Sequence, residues 1–535
     1  MSVLQAQVAP RIILLRTGDF LAFPSLRETF PCSLSYPNAH HAYVHVPHSR
    51  LRFPPSTTVT TAEQLLPPVI MVAVVGKGTV SPLNSASWEE VMLHTAKRLK
   101  WIGEGYELLV FTDECIQSNE ERAMRLHEEL LKADILVIVA VTNEDSIKWI
   151  NNNSKDIENV ICFESSPELK NKLGGYDVPT EVRGGSIFGK VLGNNSQFNK
   201  TKESFEVMQT VSQTWDRHNS DDIRFCLLLL INAYIRPVPV LNNLRSAKAF
   251  SILNCMIRNC GRQLLNCLLD PSCRKALQCL NRCNPNDQVC SYRCIASCES
   301  ASLEAFALCA LQKHNCLELK AAVPEKPYVP PLAKFRGQDL SFEMAEDLFV
   351  GWLVRLRWSW RVFALQNPAY GQFPCQYHLF YRGKAKDSFW YEPVYKVKTL
   401  DGRMVWTRQK YRVKRGKIAG TFNFSVLDKG VVSSEYWTIV DVADDLGWGL
   451  FFYRGAARAA GHSYTGSVLV SQDGTLPNDG ESRAKIIAAL EKCEIKEWEL
   501  YTVDNCSCID PPLEIPEGSS LHNIVQIEDP NWISV

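Results

Sequence analysis

The sequence lacks both a net charge and a long apolar segment. Its 58 basic residues balance its 58 acidic residues, so the composition favours neither nucleic acid nor a charged membrane surface as a partner. No apolar run approaches the roughly 20 residues that are needed to cross a bilayer. With 535 residues, the chain has enough material for about two to four domains.

Acidic residues are scarce at the start of the chain. Residues 1–62 contain only Asp19 and Glu28 against five arginines, and they are rich in Ser, Thr and Pro. This composition is typical of a plastid transit peptide, and a leader without regular structure is the alternative. We therefore interpret this segment as a targeting sequence and not as part of the fold.

The segment from Cys255 to Cys316 holds eleven of the nineteen cysteines but contains no CxxC pair. Zinc sites favour such pairs, joined by a second pair or by histidines at set distances. The segment is therefore predicted to contain disulfides and no metal, and zinc bound by these cysteines is the alternative. Disulfides persist in oxidising compartments, and they support a segment that is too short to bury a large core.

The spacing of these cysteines predicts helical hairpins closed by nested bridges. Cysteines at positions i and i+4 lie on one face of a helix, so two CxxxC pairs separated by six residues can face each other. The predicted pairings are Cys283–Cys290 inside Cys279–Cys294, Cys260–Cys267 inside Cys255–Cys273, and the local pair Cys309–Cys316. Cys298 is left over.

Residues 67–245 alternate between apolar β-branched runs and amphipathic helices. Runs such as Val69–Val75 and Val160–Phe163 are almost continuously apolar, which is typical of strands buried on both faces. The pattern predicts an N-terminal α/β domain with a parallel sheet. The turn after the first strand matches neither GxGxxG nor a Walker loop. The sequence therefore predicts the fold class of this domain but no catalytic or binding function.

A Pro-rich linker at 321–340 separates the cysteine-rich helical domain, 250–320, from a region that is almost all strand, 341–510. Eight short antiparallel strands followed by a helix predict a small closed barrel, wide enough to hold one apolar ligand. An open sandwich is the alternative. Residues 511–535 are interpreted as a C-terminal tail.

The cysteine-rich domain and the barrel together resemble the violaxanthin de-epoxidase family of plants, and the whole chain is most similar to the violaxanthin de-epoxidase-related proteins. The resemblance covers about 250–510. It rests on the motifs NCLLDPSC (266–273), ALQCLNRCN (276–284), CQYH (375–378), KTLD (398–401), FYRG (452–455) and DNC (504–506). It implies a further disulfide between the barrel and its tail, here Cys375–Cys506.

This resemblance implies a lipocalin-type barrel that binds an epoxy-xanthophyll, with ascorbate as co-substrate and no metal. It also implies a chloroplast protein, and bridged cysteines favour the thylakoid lumen over the stroma. Peripheral contact with the thylakoid membrane belongs to the same expectation, although the family's glutamate-rich C-terminal region is absent. The expected partners are a xanthophyll or another apolar ligand, and no nucleic acid.

De-epoxidation requires a general acid that protonates the epoxide oxygen. A carboxyl in apolar surroundings is suited to this task, because desolvation raises the pKa of such a group toward the working pH. The family's catalytic Asp stands two residues before a Trp, and Glu435 stands two residues before Trp437. Gln376, His378 and Tyr453 match substrate-binding positions. The alternatives are a surface strand residue for Glu435 and a structural histidine for His378.

Several positions depart from the family pattern. Ser433 and Val470 replace cavity tyrosines, Pro374 replaces an Asp, and residues 352–359 form an apparent insertion. Three hypotheses follow: an ascorbate-dependent xanthophyll de-epoxidase, a non-catalytic lipocalin that binds a carotenoid or another apolar ligand, and a regulatory protein that acts through the α/β domain.

Overall fold

The computed structural model describes most of the chain from Pro67 onwards. The described ranges are 67–118, 120–179, 196–241, 249–283, 287–317, 322–350, 360–366, 373–384, 389–428, 431–457 and 462–519. The predicted transit peptide at 1–62 and the predicted insertion at 352–359 lie outside them, as do residues 520–535 of the predicted tail. Within these ranges, no helix combines the length and the apolar character that a membrane span requires.

The N-terminal domain contains a mostly parallel sheet. Its strands are β1 (Val69–Val75), β2 (Tyr106–Thr112), β3 (Ile135–Val139), β4 (Val160–Phe163), β5 (Asn171–Leu173) and β6 (Tyr176–Val178). They are arranged in the order β2-β1-β3-β4-β5-β6. The first four pair in parallel, and β5 and β6 add an antiparallel edge. The α/β fold class predicted for this region is confirmed.

Helices cover both faces of this sheet. They are α1 (Trp88–Leu99), α2 (Glu114–Ser118), α3 (Glu120–Leu130), α4 (Glu144–Asn153), α5 (Ser196–Trp215) and α6 (Ser220–Leu230). Successive side chains of a strand point to opposite faces, so Met71 and Val75 of β1 pack with α1, α5 and α6, and Val72 and Val74 pack with α3 and α4. Burial on both faces explains the continuous apolar sequence of β1.

A disulfide-rich helical region follows. Its helices are α7 (Ala249–Leu269), α8 (Pro271–Leu280), α9 (Gln288–Ser297) and α10 (Ala301–Ala307), the last continued by a π-helix at Leu308–Lys313. The bridges in this region are Cys255–Cys316, Cys260–Cys309, Cys267–Cys273, Cys279–Cys294 and Cys283–Cys290. The second quartet therefore closes the nested hairpin that its CxxxC spacing predicts.

The predicted pairing of the first quartet is wrong. The single helix α7 contains Cys255, Cys260 and Cys267, with a kink at Cys260 but no reversal of the chain. Residues seven apart on one helix are separated by about 10 Å along its axis, so Cys260 and Cys267 cannot meet. Cys267 instead pairs with Cys273 across the turn into α8.

The predicted local pair Cys309–Cys316 is also wrong. The end of α10 and the π-helix pack along α7, which brings these two cysteines to Cys260 and Cys255. The two bridges therefore join elements about fifty to sixty residues apart in sequence, where a local hairpin had been expected. Cys298, left over in the predicted pairings, is a free thiol.

The C-terminal region begins with a short hairpin, β7 (Lys334–Phe335) and β8 (Gln338–Asp339). The strands after it are β9 (Arg361–Leu365), β10 (Tyr377–Arg382), β11 (Phe389–Lys398), β12 (Met404–Arg408), β13 (Tyr411–Arg415), β14 (Thr421–Asp428), β15 (Val431–Val442), β16 (Trp448–Ala457), β17 (His462–Ser471) and β18 (Tyr501–Thr502). Of these described strands, eight close an antiparallel ring in the order β9-β10-β11-β13-β14-β15-β16-β17 and back to β9. The ring confirms the lipocalin-like barrel over the open sandwich.

Two helices accompany the barrel. Helix α11 (Phe342–Val350) places Phe349 among the interior aromatic rings, with centroids 4.7 Å from Phe380 and 4.8 Å from Phe451. Helix α12 (Gly480–Lys492) packs on the outside, where Ile486 and Leu490 join a separate apolar cluster with β15 and β16. The barrel is therefore packed on its outer surface as well as in its interior.

The bridge between the barrel and its tail uses a different cysteine from the predicted one. Cys375 pairs with Cys508, and Cys506 is an exposed free thiol. The side chain of Asp504 accepts a hydrogen bond from the Cys506 amide, 2.9 Å away, which forms a turn that directs Cys506 into solvent. The chain beyond this turn brings Cys508 back to the barrel.

A buried polar network joins the α/β domain to the barrel region. The Arg98 guanidinium on α1 contacts the Glu499 carboxylate at 2.9 Å and the Asp221 carboxylate at 2.9 Å. His94 Nε2 lies 2.9 Å from Glu499 Oε2. The charges of Asp221 and Glu499 therefore face one buried cation from opposite domains.

Hydrogen bonds donated by side-chain amides extend this junction. The side-chain amide of Gln366, at the end of β9, donates to Asp221 at 3.0 Å. The Asn84 amide donates to the backbone carbonyls of Trp498 and Leu500 at 2.7 and 3.0 Å. The α/β domain is thus fixed to the barrel by several polar contacts.

Candidate functional site

Glu435 lies on β15 and faces the barrel interior. Side chains alternate along a strand, so Glu435 shares its face with Trp437 and Ile439, which belong to the barrel core. Glu435 is only 2% exposed. The alternative that Glu435 is a surface strand residue is therefore wrong.

Two aromatic side chains hold the Glu435 carboxyl. The indole Nε1 of Trp437 donates to Oε2 at 2.7 Å, and the hydroxyl of Tyr464 donates to Oε1 at 2.6 Å. Both donors are buried. Each carboxyl oxygen is thus oriented by a neutral donor, and a phenol that can both donate and accept a proton lies beside it.

Glycines on neighbouring strands make room for this arrangement. Gly455 on β16 lies between Glu435 on β15 and Tyr464 on β17 in the strand register. A Cβ atom at Gly455 would overlap the Tyr464 ring, so its absence lets the phenol cross β16 to the carboxyl. Two residues along the same strand pair, Tyr453 on β16 is paired with Gly466 on β17. A Cβ atom at Gly466 would overlap the hydroxyl of Tyr453. Each tyrosine lies over a glycine of the opposite strand.

The structure brings Tyr453 and His378 into the same aromatic cluster. The Tyr453 ring stacks on Trp437 with centroids 5.0 Å apart, and the His378 ring lies edge-on to Trp437 at 6.3 Å and to Tyr391 at 5.1 Å. Burial lowers the pKa of His378 to about 3. His378 is therefore neutral at physiological pH and lines the interior as an uncharged ring.

Gln376 lies immediately before β10, two residues from His378. It is buried, and its side-chain amide donates to the Phe373 carbonyl at 2.8 Å. This contact ties Gln376 to the segment that leads into the strand. Gln376 thus makes a side-chain to backbone hydrogen bond, which the sequence had not predicted.

The sequence had not identified two residues of this cluster, Tyr464 and Tyr391. Tyr391 on β11 is buried, and burial first, then the charges of Glu435 and Tyr453, raise its pKa well above the usual value. Its hydroxyl therefore stays protonated. A signal for Tyr464 was present, because a glycine inside a strand often marks close approach of another group, and Gly455 and Gly466 stand inside β16 and β17.

Cysteine clusters in the described ranges do not offer a free metal site. The two groups whose donor atoms lie close together are Cys260, Cys309 and His314, and Cys283, Cys290 and Cys294. Every cysteine in them belongs to a disulfide. The thiolates that zinc would need are therefore consumed.

Two family descriptions match the chain. The VDE lipocalin domain matches residues 252–505, which include the disulfide-rich helices and the barrel. A domain of unknown function, DUF3479, matches residues 81–214 of the α/β domain. The boundary between the matches falls near the end of the α/β domain.

Two curated relatives match about half of the chain. The chloroplastic violaxanthin de-epoxidase of Spinacia oleracea is 26% identical over 254 residues, 45% of this chain and 48% of the relative. That of Nicotiana tabacum is 24% identical over 282 residues, 50% of this chain and 53% of the relative. The chain thus spans about half the length of the curated relatives it matches.

Solved structures with some likeness include two crustacyanin apoproteins. Apocrustacyanin C2 matches with a TM-score of 0.21 and 13% identity, over 28% of this chain and 76% of that one. Lobster apocrustacyanin A1 matches with a TM-score of 0.23 and 13% identity, over 34% and 91%. Likeness at this level says nothing about a ligand.

Proposed function

We propose that this chain, whose residues 252–505 match the VDE lipocalin domain, reductively de-epoxidises an epoxy-xanthophyll, violaxanthin or a relative, inside its barrel. The observation that carries the proposal is the Glu435 carboxyl, buried in the barrel interior and oriented by Trp437 and Tyr464. Ascorbate is the proposed reductant. The chloroplast, with an oxidising lumen favoured by six disulfides, is the proposed location.

In the proposed reaction, the Glu435 carboxyl protonates the epoxide oxygen and one carbon–oxygen bond breaks. Ascorbate supplies two electrons and two protons and becomes dehydroascorbate. The second carbon–oxygen bond then breaks, the oxygen leaves as water, and a carbon–carbon double bond remains. One of the protons from ascorbate restores the acid form of Glu435.

The neighbours of Glu435 are suited to this role. The Tyr464 hydroxyl can donate to the carboxylate and accept from the carboxylic acid, so it can keep its contact with Oε1 in both protonation states. The Trp437 indole can only donate, and it fixes the second oxygen. This pair holds the carboxyl in place while its proton leaves and returns.

The experiment is a pigment assay with the oxidised full chain. Violaxanthin and ascorbate are incubated with wild type, Glu435→Gln and Glu481→Gln, and the products are separated by chromatography. Glu481 is an exposed carboxyl on α12, so it controls for loss of a carboxylate elsewhere. Loss of a general acid lowers rates by about 10²–10⁴-fold, so we expect Glu435→Gln to be inactive and Glu481→Gln to match wild type.

Two results would contradict the proposal. Equal turnover by wild type and Glu435→Gln would remove Glu435 from the chemistry. Pigment that wild type retains on a column but leaves unchanged would instead identify a carotenoid-binding lipocalin without catalysis.

A further inference from the structure

Tyr391 is a buried phenol of the barrel interior. It lies on β11 with its side chain fully buried, and its hydroxyl has no hydrogen-bond partner among the described residues. Four of the rings around it belong to Phe380, His378, Tyr411 and Phe424, with centroids 4.7 to 5.5 Å away. The Tyr391 ring therefore lies inside an aromatic cluster, and its hydroxyl is buried.

Two other tyrosines of the barrel interior have hydroxyls that donate hydrogen bonds. The Tyr464 hydroxyl donates to Glu435, and the Tyr411 hydroxyl donates to Gln409 at 3.3 Å. Buried polar groups are nearly always hydrogen-bonded, because an unmade bond costs free energy. An unsatisfied hydroxyl in the cluster that holds a candidate catalytic carboxyl thus indicates a position where a ligand atom completes the bond.

The chemical class of that ligand atom follows from Tyr391 itself. Its pKa is raised by burial and by the charges of Glu435 and Tyr453, so the phenol keeps its proton. It can therefore donate to an uncharged oxygen acceptor. An ether-type oxygen is such an acceptor, whereas a hydrocarbon ring end is not.

We propose that the Tyr391 hydroxyl donates a hydrogen bond to the epoxide oxygen of the bound xanthophyll and so selects the epoxide over the de-epoxidised product. This inference rests on the proposed function, and it adds a substrate-binding residue to it. Tyr391 holds the oxygen, and Glu435 delivers the proton to it. Discrimination then comes from a donor that the product leaves unpaired.

The test measures binding without ascorbate, so that no turnover takes place. Wild type, Tyr391→Phe and Tyr411→Phe are titrated with violaxanthin and with zeaxanthin, which has the same skeleton without the epoxide oxygens, and quenching of tryptophan fluorescence reports Kd. We expect Tyr391→Phe to weaken violaxanthin binding about tenfold and to leave zeaxanthin binding unchanged. Tyr411→Phe removes an equivalent oxygen from a partnered phenol, and it should not change the ratio of the two Kd values.

We do not expect Tyr391→Phe to destabilise the fold, because the Tyr391 hydroxyl makes no hydrogen bond with the residues that the structure describes. Thermal unfolding of the free variant should match wild type. Equal violaxanthin Kd values for wild type and Tyr391→Phe, or an equal loss for both pigments, would overturn the role of Tyr391 while the pigment assay could still support de-epoxidation. Failure of wild type to bind either pigment would overturn both proposals.

Discussion

Two glutamates are equally buried in this protein and are held in opposite ways. Glu435, in the barrel, is 2% exposed, and Glu499, at the domain junction, is 1% exposed. Glu435 accepts from an indole and a phenol. Glu499 accepts from the Arg98 guanidinium at 2.9 Å, from the Ser220 hydroxyl at 2.8 Å and from the Lys496 amide at 2.9 Å, and it contacts His94.

The difference separates a structural carboxylate from the one that we propose as the general acid. Burial by itself would raise the pKa of Glu499, but the charge of Arg98 and the hydrogen bond with His94 together outweigh it, so the pKa is lowered and the carboxylate stays ionised. Such a group can fix two domains together, but because it stays ionised it carries no proton that it could donate. The hydroxyl beside Glu435 can donate or accept, which is what a group that cycles between two protonation states requires.

The largest expected effect comes from removing charge at the junction. Glu499→Gln leaves the buried Arg98 guanidinium with only part of its neutralising charge, and breaking a buried ion pair costs about 3–5 kcal/mol. We expect a loss of about 3 kcal/mol in the free energy of unfolding, measured by urea denaturation. Glu497→Gln, two residues away and paired on the surface with Arg483, should cost less than about 1 kcal/mol.

If Glu499→Gln and Glu497→Gln were equally stable, Glu499 would not stabilise the junction between the two domains. The network would then be a set of contacts that the fold tolerates, and the contrast with Glu435 would disappear. An intermediate loss confined to the unfolding of the α/β domain would instead show that the two domains unfold separately.

The second expected effect separates barrel and junction by pH. The pKa of His378 is about 3 in the folded barrel and about 6.5 in the unfolded chain, so the unfolded chain binds the extra proton between these values. The stability that neutral His378 contributes is complete above pH 6.5 and is lost as the pH falls toward 3, by about 1.4 kcal/mol per unit. Asp221 and Glu499 have lowered pKa values, so their contribution is lost only below about pH 4.

Urea unfolding of wild type and His378→Gln at pH 7, 6, 5 and 4.5 measures this effect. We expect the free energy of unfolding of wild type to fall by about 2 kcal/mol more than that of His378→Gln across this range. Identical slopes for the two proteins would mean that His378 is hydrated in the barrel, and the contrast between a pH-sensitive interior and an acid-resistant junction would fail.

The sequence predicted the elements of this comparison unequally. The choice of Glu435 came from the family resemblance, whereas strand β1 followed from its continuous apolar run and the nested bridges of the second quartet from the 3.6-residue period of helices. The Cys255–Cys316 bridge and the junction of Arg98 with Glu499 did not follow from local spacing. They join residues 61 and 401 positions apart, and no local pattern specifies which distant element will pack there.

The same limit explains the missed residues of the site. Tyr464 reaches Glu435 only because β15, β16 and β17 pair in a register that places Gly455 between Glu435 and Tyr464. That register belongs to the closed barrel, not to either strand. The choice of Cys508 over Cys506 likewise depends on one turn at Asp504, and two cysteines that stand two residues apart give no hint of it.

The smallest expected effect on stability is at Glu435, and it sharpens the comparison most. Glu435→Gln keeps one carbonyl oxygen, which can accept from one of the two donors, and the Tyr464 hydroxyl can turn to accept from the new amide. One neutral hydrogen bond contributes about 0.5–1.5 kcal/mol, so we expect a loss of no more than about 1 kcal/mol in urea denaturation at pH 7. The same substitution at Glu499 should cost about three times as much. A protein that keeps its fold after Glu435→Gln but loses turnover has a buried carboxyl that its stability does not require. A loss at Glu435 as large as that at Glu499 would make both glutamates structural.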